Sequence, residues 1–192
     1  MLTVTMAVVA SVNVARLTTT GAPGNVLGDF EASLTVHTNI ARITIAGAIR
    51  DAELAATGSI GAVVARAIVN SVIRVDDGIS RMKAGSLIDS AICAGIAPEE
   101  LENELYTFSF DRFSVIGAIK IGTFQDSHIG ASKIGSVMIQ GIVASDGGPG
   151  SGIRAYSIDN YDRAGEVHLS DLKPGGVYDQ VNNYFVFLPS AT

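Results

Sequence analysis

The chain has 192 residues, which is enough for one domain with a real core, and its 13 basic and 19 acidic residues give a net charge of -6. No runs of basic residues occur, so the sequence argues against a nucleic-acid-binding surface and against binding to anionic membranes. The single cysteine, Cys93, excludes an internal disulfide and a zinc site built on several thiolates, and we predict that it is a small buried hydrophobic residue.

The N-terminal segment, residues 1–10, is apolar but lacks the basic region of a signal peptide. It is also short for a membrane span, which needs about 20 apolar residues. We therefore predict a first strand and no membrane insertion.

From there on, an apolar tetrad returns along the chain, at intervals of 19 or 20 residues where the spacing is most regular. Its first and fourth positions are large and apolar, and its second position is Ala, Gly or Ser. The six tetrads begin at Val14, Ile40, Ile60, Ile79, Ile116 and Ile134. Because residues three apart face opposite sides of a straight strand, both apolar positions can point inward only if the chain bends between them.

Two further columns follow the same period. One contains Asp or Asn between apolar residues that are five apart, and these residue types tolerate the left-handed backbone of a tight corner. Its members are Asp51, Asn70, Asp89 and Asp126. The other column contains glycine, with an arginine where the period predicts one more. Its members are Gly47, Arg66, Gly85, Gly122 and Gly141. Three corners in each period indicate three faces.

These columns predict an all-β fold, a three-sided parallel β-solenoid with about 19 residues in each rung. We expect one domain, residues 1–192, with regular rungs over residues 12–143. Residues 60–75 also fit the apolar stripe of a helix, which is the competing interpretation. However, the many β-branched residues there lower helix propensity, and a helix gives no reason for three columns in register.

The period breaks between Ile79 and Ile116, which are 37 residues apart instead of about 19. Residues 97–112 therefore form an insertion, in which Pro98 and the acids that follow it predict a short helix before a strand. Such an insertion could carry the function or simply cover part of the rod. Residues 144–192 are expected to form an irregular last rung and an aromatic cap that covers the open end.

No motif for nucleophilic catalysis is present, and the three histidines, His37, His128 and His168, have no metal-binding spacing. We expect them on the surface, and we expect no metal and no other cofactor. If the protein is an enzyme, its candidate catalytic carboxylates are Asp51, Asp76, Asp77 and Asp89. Corner aspartates serve more often as turn residues, so the sequence leaves an enzymatic activity open and favours a non-enzymatic role.

Candidate ligand-binding residues come from two places. Arg16, Arg42 and Arg81 share the third, outward position of their tetrads, and such a stripe could meet an acidic glycan. The insertion offers carboxylates, an aromatic ring and a cation that could line a groove. These residues are Glu99, Glu100, Tyr106 and Arg112.

Three stretches, residues 58–61 (GSIG), 84–90 (AGSLIDS) and 132–143 (SKIGSVMIQGIV), resemble the β-solenoid repeat segments of very large secreted or surface-attached bacterial proteins. The resemblance implies an extracellular or cell-surface location and a structural, adhesive or assembly role, with a glycan or another protein chain as partner. Two alternatives remain. The protein could bind or cleave polysaccharides through its outward carboxylates, or it could be a filament subunit that associates through the solenoid ends.

Overall fold

The computed structural model describes residues 8–10, 14, 16–19, 28–96, 110, 113–143, 151–164, 166–172, 176–181 and 184–188. These residues form two sheets, and the strand order in both is that of a solenoid. The nine-stranded sheet contains mostly short strands. In spatial order they are β1 (Val8–Ala10), β3 (Leu34–Val36), β5 (Glu53–Ala56), β7 (Val72–Val75), β9 (Ala91–Ala94), β11 (His128–Gly130), β13 (Ser151–Arg154), β17 (Tyr184–Leu188) and β16 (Gly176–Val181).

The eight-stranded sheet contains the long strands. In spatial order they are β15 (Val167–Leu172), β14 (Ser157–Arg163), β12 (Lys133–Ile142), β10 (Val115–Gln125), β8 (Gly78–Ile88), β6 (Ser59–Val69), β4 (Ile43–Arg50) and β2 (Leu17–Thr19).

Each regular rung is one long strand followed by one short strand, and successive rungs pair in parallel over about five turns. The predicted tetrads lie in register: Ile60 pairs with Ile79, and Ile116 pairs with both Ile79 and Ile134. Both apolar tetrad positions are buried in these rungs, with at most 2% of each side chain exposed. The parallel β-solenoid is therefore confirmed, and residues 60–75 form β6 and β7 rather than a helix.

The long strands change direction without losing their hydrogen-bonded pairing. In β6 the residues that enter the core are Ile60, Val63, Ala65 and Ile68, at intervals of three, two and three. Each odd interval marks a bend, because alternation along a straight strand has a period of two. The second tetrad position is small because a Cβ added at Gly61 would run into the carbonyl oxygen of Ala41 in the neighbouring rung.

The glycine column lies at the second bend. Gly85 and Gly122 are in register with Arg66, as the period predicts, and Gly47 lies in a bulge opposite Arg66. A Cβ added at Gly85 would be 2.5 Å from the carbonyl oxygen of Arg66, so the backbones approach closely here. The assignment of Gly141 to this column is wrong by one residue, because Gly141 pairs with Thr123 and Gln140 occupies the position.

The third corner is made by the predicted Asp and Asn column, and its backbone is left-handed. The φ angles are 46° at Asp51, 45° at Asn70, 46° at Asp89 and 44° at Asp126. Left-handed backbone is unfavourable for most L-residues but tolerated by Asp and Asn. The side chains also stack, since Asn70 Nδ2 donates to Asp51 Oδ1 at 2.5 Å.

A ladder of buried serines follows this corner and was not foreseen. Ser90 Oγ donates to the carbonyl of Ile88 at 2.6 Å and accepts the backbone N–H of Ser71 at 3.1 Å. Ser71 and Ser127 make the same pair of bonds in their own rungs. The ladder satisfies backbone N–H groups that would otherwise be buried without a partner.

Residues 144–192, where a last rung and a cap are predicted, contain strands β13 and β14, which pair in parallel with the preceding rung, and two antiparallel pairs. β15 pairs antiparallel with β14, and β16 pairs antiparallel with β17, whereas all the regular rungs are parallel. Two residues of the last hairpin strand, Val186 and Leu188, are fully buried in the core. The predicted helix of the insertion, residues 97–105, lies outside the described residues, as do residues 106–109 of the strand predicted to follow it.

Ile60→Asp should unfold the rungs around it, because a charge would enter a fully buried apolar column. We expect the free energy of unfolding to fall by more than about 4 kcal/mol, or the protein not to fold. Val64→Asp is the matched control, on the same strand but at a partly exposed position, and should lower it by less than about 1 kcal/mol. Urea denaturation measures both. Equal losses would contradict the inward orientation of Ile60.

The left-handed corner gives a second prediction. Asp89→Val should destabilise the protein by about 1–2 kcal/mol, because a β-branched residue resists positive φ. Asp89→Asn should change stability by less than about 0.5 kcal/mol, since Asn70 already occupies the equivalent corner. Thermal denaturation followed by circular dichroism distinguishes the two. A Val variant as stable as the Asn variant would show that the corner tolerates any side chain.

Candidate functional site

Acidic residues are absent from the long central strands of the eight-stranded sheet. β4, β6, β8, β10 and β12 together contain six basic residues and no Asp or Glu. All 19 acidic residues of the chain therefore lie elsewhere in the sequence. Although the net charge of the chain is -6, positive charge is concentrated on one side of the rod.

Six exposed cations define what we call the basic face. They lie on, or next to, five strands that are adjacent in the sheet, β2, β4, β6, β8 and β10. The basic face consists of Arg16, Arg42, Arg66, Arg81, Lys83 and Lys120.

The parallel register determines how these cations are spaced. Lys83 and Lys120 are direct partners on β8 and β10, so their Cα atoms are about 4.8 Å apart. Arg81 pairs with Ala62 and with Ala118, both of which are small. The Arg81 side chain therefore rises from a surface of small residues, whereas Lys83 and Lys120 also have Val64 and Met138 as register partners.

None of the six cations forms an ion pair within the described part of the chain, and only Arg16 makes a side-chain hydrogen bond, to Thr18 Oγ1 at 2.6 Å. Other surface cations are paired: Arg50 lies 3.4 Å from Asp29, and Lys133 lies 3.0 Å from Asp159. Like charges held about 5–10 Å apart repel one another, and a bound anion would relieve this repulsion.

Acidic corners border the basic face on both sides. Asp51, Asp89 and Asp126 directly follow the ends of β4, β8 and β10, and Asp77 directly precedes β8. An anionic ligand that crossed these corners would meet carboxylates. The favourable direction for a long anion is therefore along the rod axis, from rung to rung.

The structure brings together the three arginines that the sequence proposed as a stripe. Arg16 and Arg42 occupy equivalent positions on adjacent rungs, and Ala62 separates Arg42 from Arg81. Arg66, Lys83 and Lys120 were missed because they do not occupy the third tetrad position. The absence of acidic residues from five long strands was the signal that could have revealed them.

The four candidate carboxylates divide between two corners. Asp51 and Asp89 are exposed in the left-handed column, two rungs or about 10 Å apart, with Asn70 between them. Asp76 and Asp77 lie in the turn at the opposite end of β7, about 13 Å along the strand. The candidates therefore do not converge on one point, and the left-handed backbone accounts for the presence of Asp or Asn at positions 51 and 89.

Four candidates from the insertion, Glu99, Glu100, Tyr106 and Arg112, lie outside the described residues. Among the described residues there is no group of three or more His, Cys, Asp or Glu that could hold a metal ion. That part of the chain also contains no helix long and apolar enough to cross a membrane.

A second group of polar residues is buried on the outer side of the nine-stranded sheet. His128 on β11 is only 7% exposed and Arg154 on β13 only 4%. Next to them Cys93 and Ile96 pack against Phe110. The ring of Phe110 makes an edge-to-face contact with the ring of Tyr156, with 4.9 Å between the ring centroids. The prediction that Cys93 is buried is confirmed. The expectation that His128 lies on the surface is wrong, because this part of the sheet is covered on its outer side.

Burial lowers the pKa of His128 to about 4, with a smaller contribution from the positive charge of Arg154. The negative charge of Asp126 raises the pKa of His128, against these two effects. Burial also lowers the pKa of Arg154. His128 is consequently a neutral imidazole at pH 7, and its Nδ1 is buried without a hydrogen-bond partner. Cys93 is fully buried, so this cluster has no nucleophile open to a substrate.

This cluster predicts acid sensitivity. The folded state holds His128 neutral down to about pH 4, whereas the unfolded state protonates near pH 6.5, so stability is full above pH 6.5 and is lost as the pH falls towards 4. We expect the free energy of unfolding to fall by about 2 kcal/mol between pH 7.5 and pH 5.0 through this residue.

Urea denaturation at the two pH values measures the loss, and His128→Gln should reduce it by that amount. His37→Gln, at an exposed site, is the control and should retain the acid sensitivity. The same pH dependence in the wild type and in His128→Gln would show that His128 is not its source.

Comparison of the chain with models of protein families, with curated proteins and with solved structures finds no match. The solenoid fold therefore stands on the structure itself, and the finer resemblance to repeat segments of bacterial surface proteins gains no support from these comparisons.

Proposed function

We propose that this chain is a non-enzymatic adhesive module that binds a linear acidic polysaccharide along its basic face. The observation that supports the proposal is the row of six cations on five adjacent rungs, which have no ion-pair partner among the described residues and whose long central strands carry no carboxylate. The solenoid core serves as a stiff support that holds the cations at constant spacing.

The basic face spans four rung intervals, or about 19 Å along the rod. Every rung in that span contributes at least one cation, so an extended anionic polymer lying along the axis meets a positive charge at each step. The acidic corners on either side disfavour other directions. Several weak contacts then add up through multivalency.

A polysaccharide fits this face better than a nucleic acid does. Single-stranded nucleic acid is usually held by aromatic side chains on which bases stack, and the only aromatic residue on β4, β6, β8, β10 and β12 is the fully buried Phe124. Recognition of a duplex normally uses an element that enters a groove, and the broad surface of a parallel sheet provides none.

We extend the proposal to a secreted or surface-attached bacterial protein, which is the setting that the repeat-like stretches imply. Polysaccharide cleavage finds less support, because the candidate carboxylates are divided between two corners. A self-stacking filament finds less support as well, because both sheets end in antiparallel strands at the C-terminal end of the rod.

The test is a binding titration with heparin and hyaluronate, which carry sulfate and carboxylate groups, and with a single-stranded DNA of equal charge as a comparison. We expect one of the glycans to bind best and its affinity to fall steeply between 50 and 300 mM NaCl, because the contacts are electrostatic. Lys120→Glu should weaken binding about tenfold, since charge reversal removes one attraction and adds one repulsion.

Lys133→Glu is the matched control, because Lys133 lies on the neighbouring strand β12 and is already paired with Asp159. It should weaken binding less than about twofold. Equal effects of the two substitutions, or stronger binding of DNA than of either glycan, would refute the proposal.

A further inference from the structure

A cleft of about 430 Å³ opens on the outer side of the nine-stranded sheet, away from the basic face. It lies over β3, β5 and β7, the short strands of three successive rungs, and extends to Gly95 and Ile96, which follow β9 in the next rung. Its lining includes Thr35, His37, Ala55, Thr57, Arg74 and Asp76.

The cleft exists because the rung that contains β5 carries small side chains. Thr35, Ala55 and Arg74 are register partners and point outward, since the residues on either side of each enter the core. Ala55 is only 6% exposed although it points outward, because its larger neighbours rise on both sides. The sequence thus forms a recess one rung wide with an apolar floor.

The walls of the cleft are polar and their charges balance. Arg74 supplies a guanidinium and Asp76 a carboxylate, while Thr35, Thr57 and His37 supply further polar groups. The Arg74 guanidinium lies 3.6 Å from Glu53, which restricts its position. Balanced walls favour neither an anion nor a cation, in contrast to the basic face.

Groups that both donate and accept hydrogen bonds suit such walls best. A guanidinium offers a fork of donors to two neighbouring oxygens, and threonine hydroxyl groups both donate and accept hydrogen bonds. An apolar floor suits the C–H surface of the same molecule. The volume is at the lower end of the range for small-molecule sites, which is about 300–1,000 Å³.

We propose that this cleft is a binding site for a neutral sugar, a single residue or a short oligosaccharide. The site differs from the basic face in position and in ligand chemistry, so it does not depend on the function proposed above. An adhesive module with both sites would engage a charged polymer along one side of the rod and a neutral sugar on the other.

The experiment uses the full chain and methyl glycosides of glucose, galactose, mannose and N-acetylglucosamine, with glucuronate as the charged comparison. Saturation-transfer NMR detects binding and isothermal titration measures it. We expect saturable binding of at least one neutral glycoside and weaker binding of glucuronate. No saturable binding of any neutral glycoside would overturn the proposal.

Ala55→Leu would fill the floor and should weaken sugar binding by more than about tenfold. Ala46→Leu, at an exposed position on the other sheet, is the control and should leave it unchanged. Arg74→Ala should weaken sugar binding to a similar extent, and this variant tests the proposal if Ala55→Leu does not fold. Unaltered sugar affinity in Arg74→Ala, or in a folded Ala55→Leu variant, would overturn the proposal.

The two sites can be separated with the same proteins. Lys120→Glu should leave sugar binding unchanged, and Arg74→Ala should leave heparin binding within about twofold of the wild type. Loss of both activities in either variant would contradict two separate sites.

Discussion

Closure of each rung onto the next is the constraint on which this structure depends. A parallel ladder persists only if every turn of the chain ends one strand spacing above its start, with the same side chains inward. The left-handed corner at Asp51, Asn70, Asp89 and Asp126 meets this requirement at one point, and the small second position of the tetrads meets it at another. The backbone geometry therefore explains why Ala, Gly, Ser, Asp and Asn recur at these positions, without any role for the reactivity of their side chains.

The same constraint separates the roles of inside and outside. Inward positions must repeat the same apolar type, and Ile60, Ile79, Ile116 and Ile134 do so. Outward positions are under no such requirement. Two outward features are not explained by rung closure: the cations on or next to the long strands, which form no ion pair among the described residues, and the small side chain of Ala55. This is why the proposed binding sites are both on the outer surface.

Much of the fold could be predicted from the sequence because a repeat makes each position visible several times. The inward orientation of both Ile60 and Val63 and the corner at Asp89 could be predicted from their spacing alone. Gly141 was assigned to the glycine column one residue away from its true position, because only the pairing register shows such a shift. His128 was misjudged for another reason. Its burial depends on what covers the sheet from outside, and no period along the chain reports that.

The candidate sites were less predictable than the fold. Lys83 and Lys120 are 37 residues apart in sequence and become neighbours only through pairing across the insertion. The cleft at Ala55 depends on side chains from three rungs and on the contrast in their sizes. Neither relationship is a motif in the usual sense, because neither has a short pattern of residues that could be recognised without the register.

The point where the chain leaves and re-enters the ladder is held together by a direct bond. Ser114 Oγ donates to the carbonyl of Ala94 at 2.6 Å, and β8 and β9 keep their register with β10 and β11 across the interruption. The ladder is thus indifferent to the length of what is inserted there, apart from a loop-closure entropy that grows only slowly. For protein engineering, this junction is a grafting position, at which a foreign peptide could be displayed on a rigid rod if Phe110, which packs against Cys93 and Ile96, is retained.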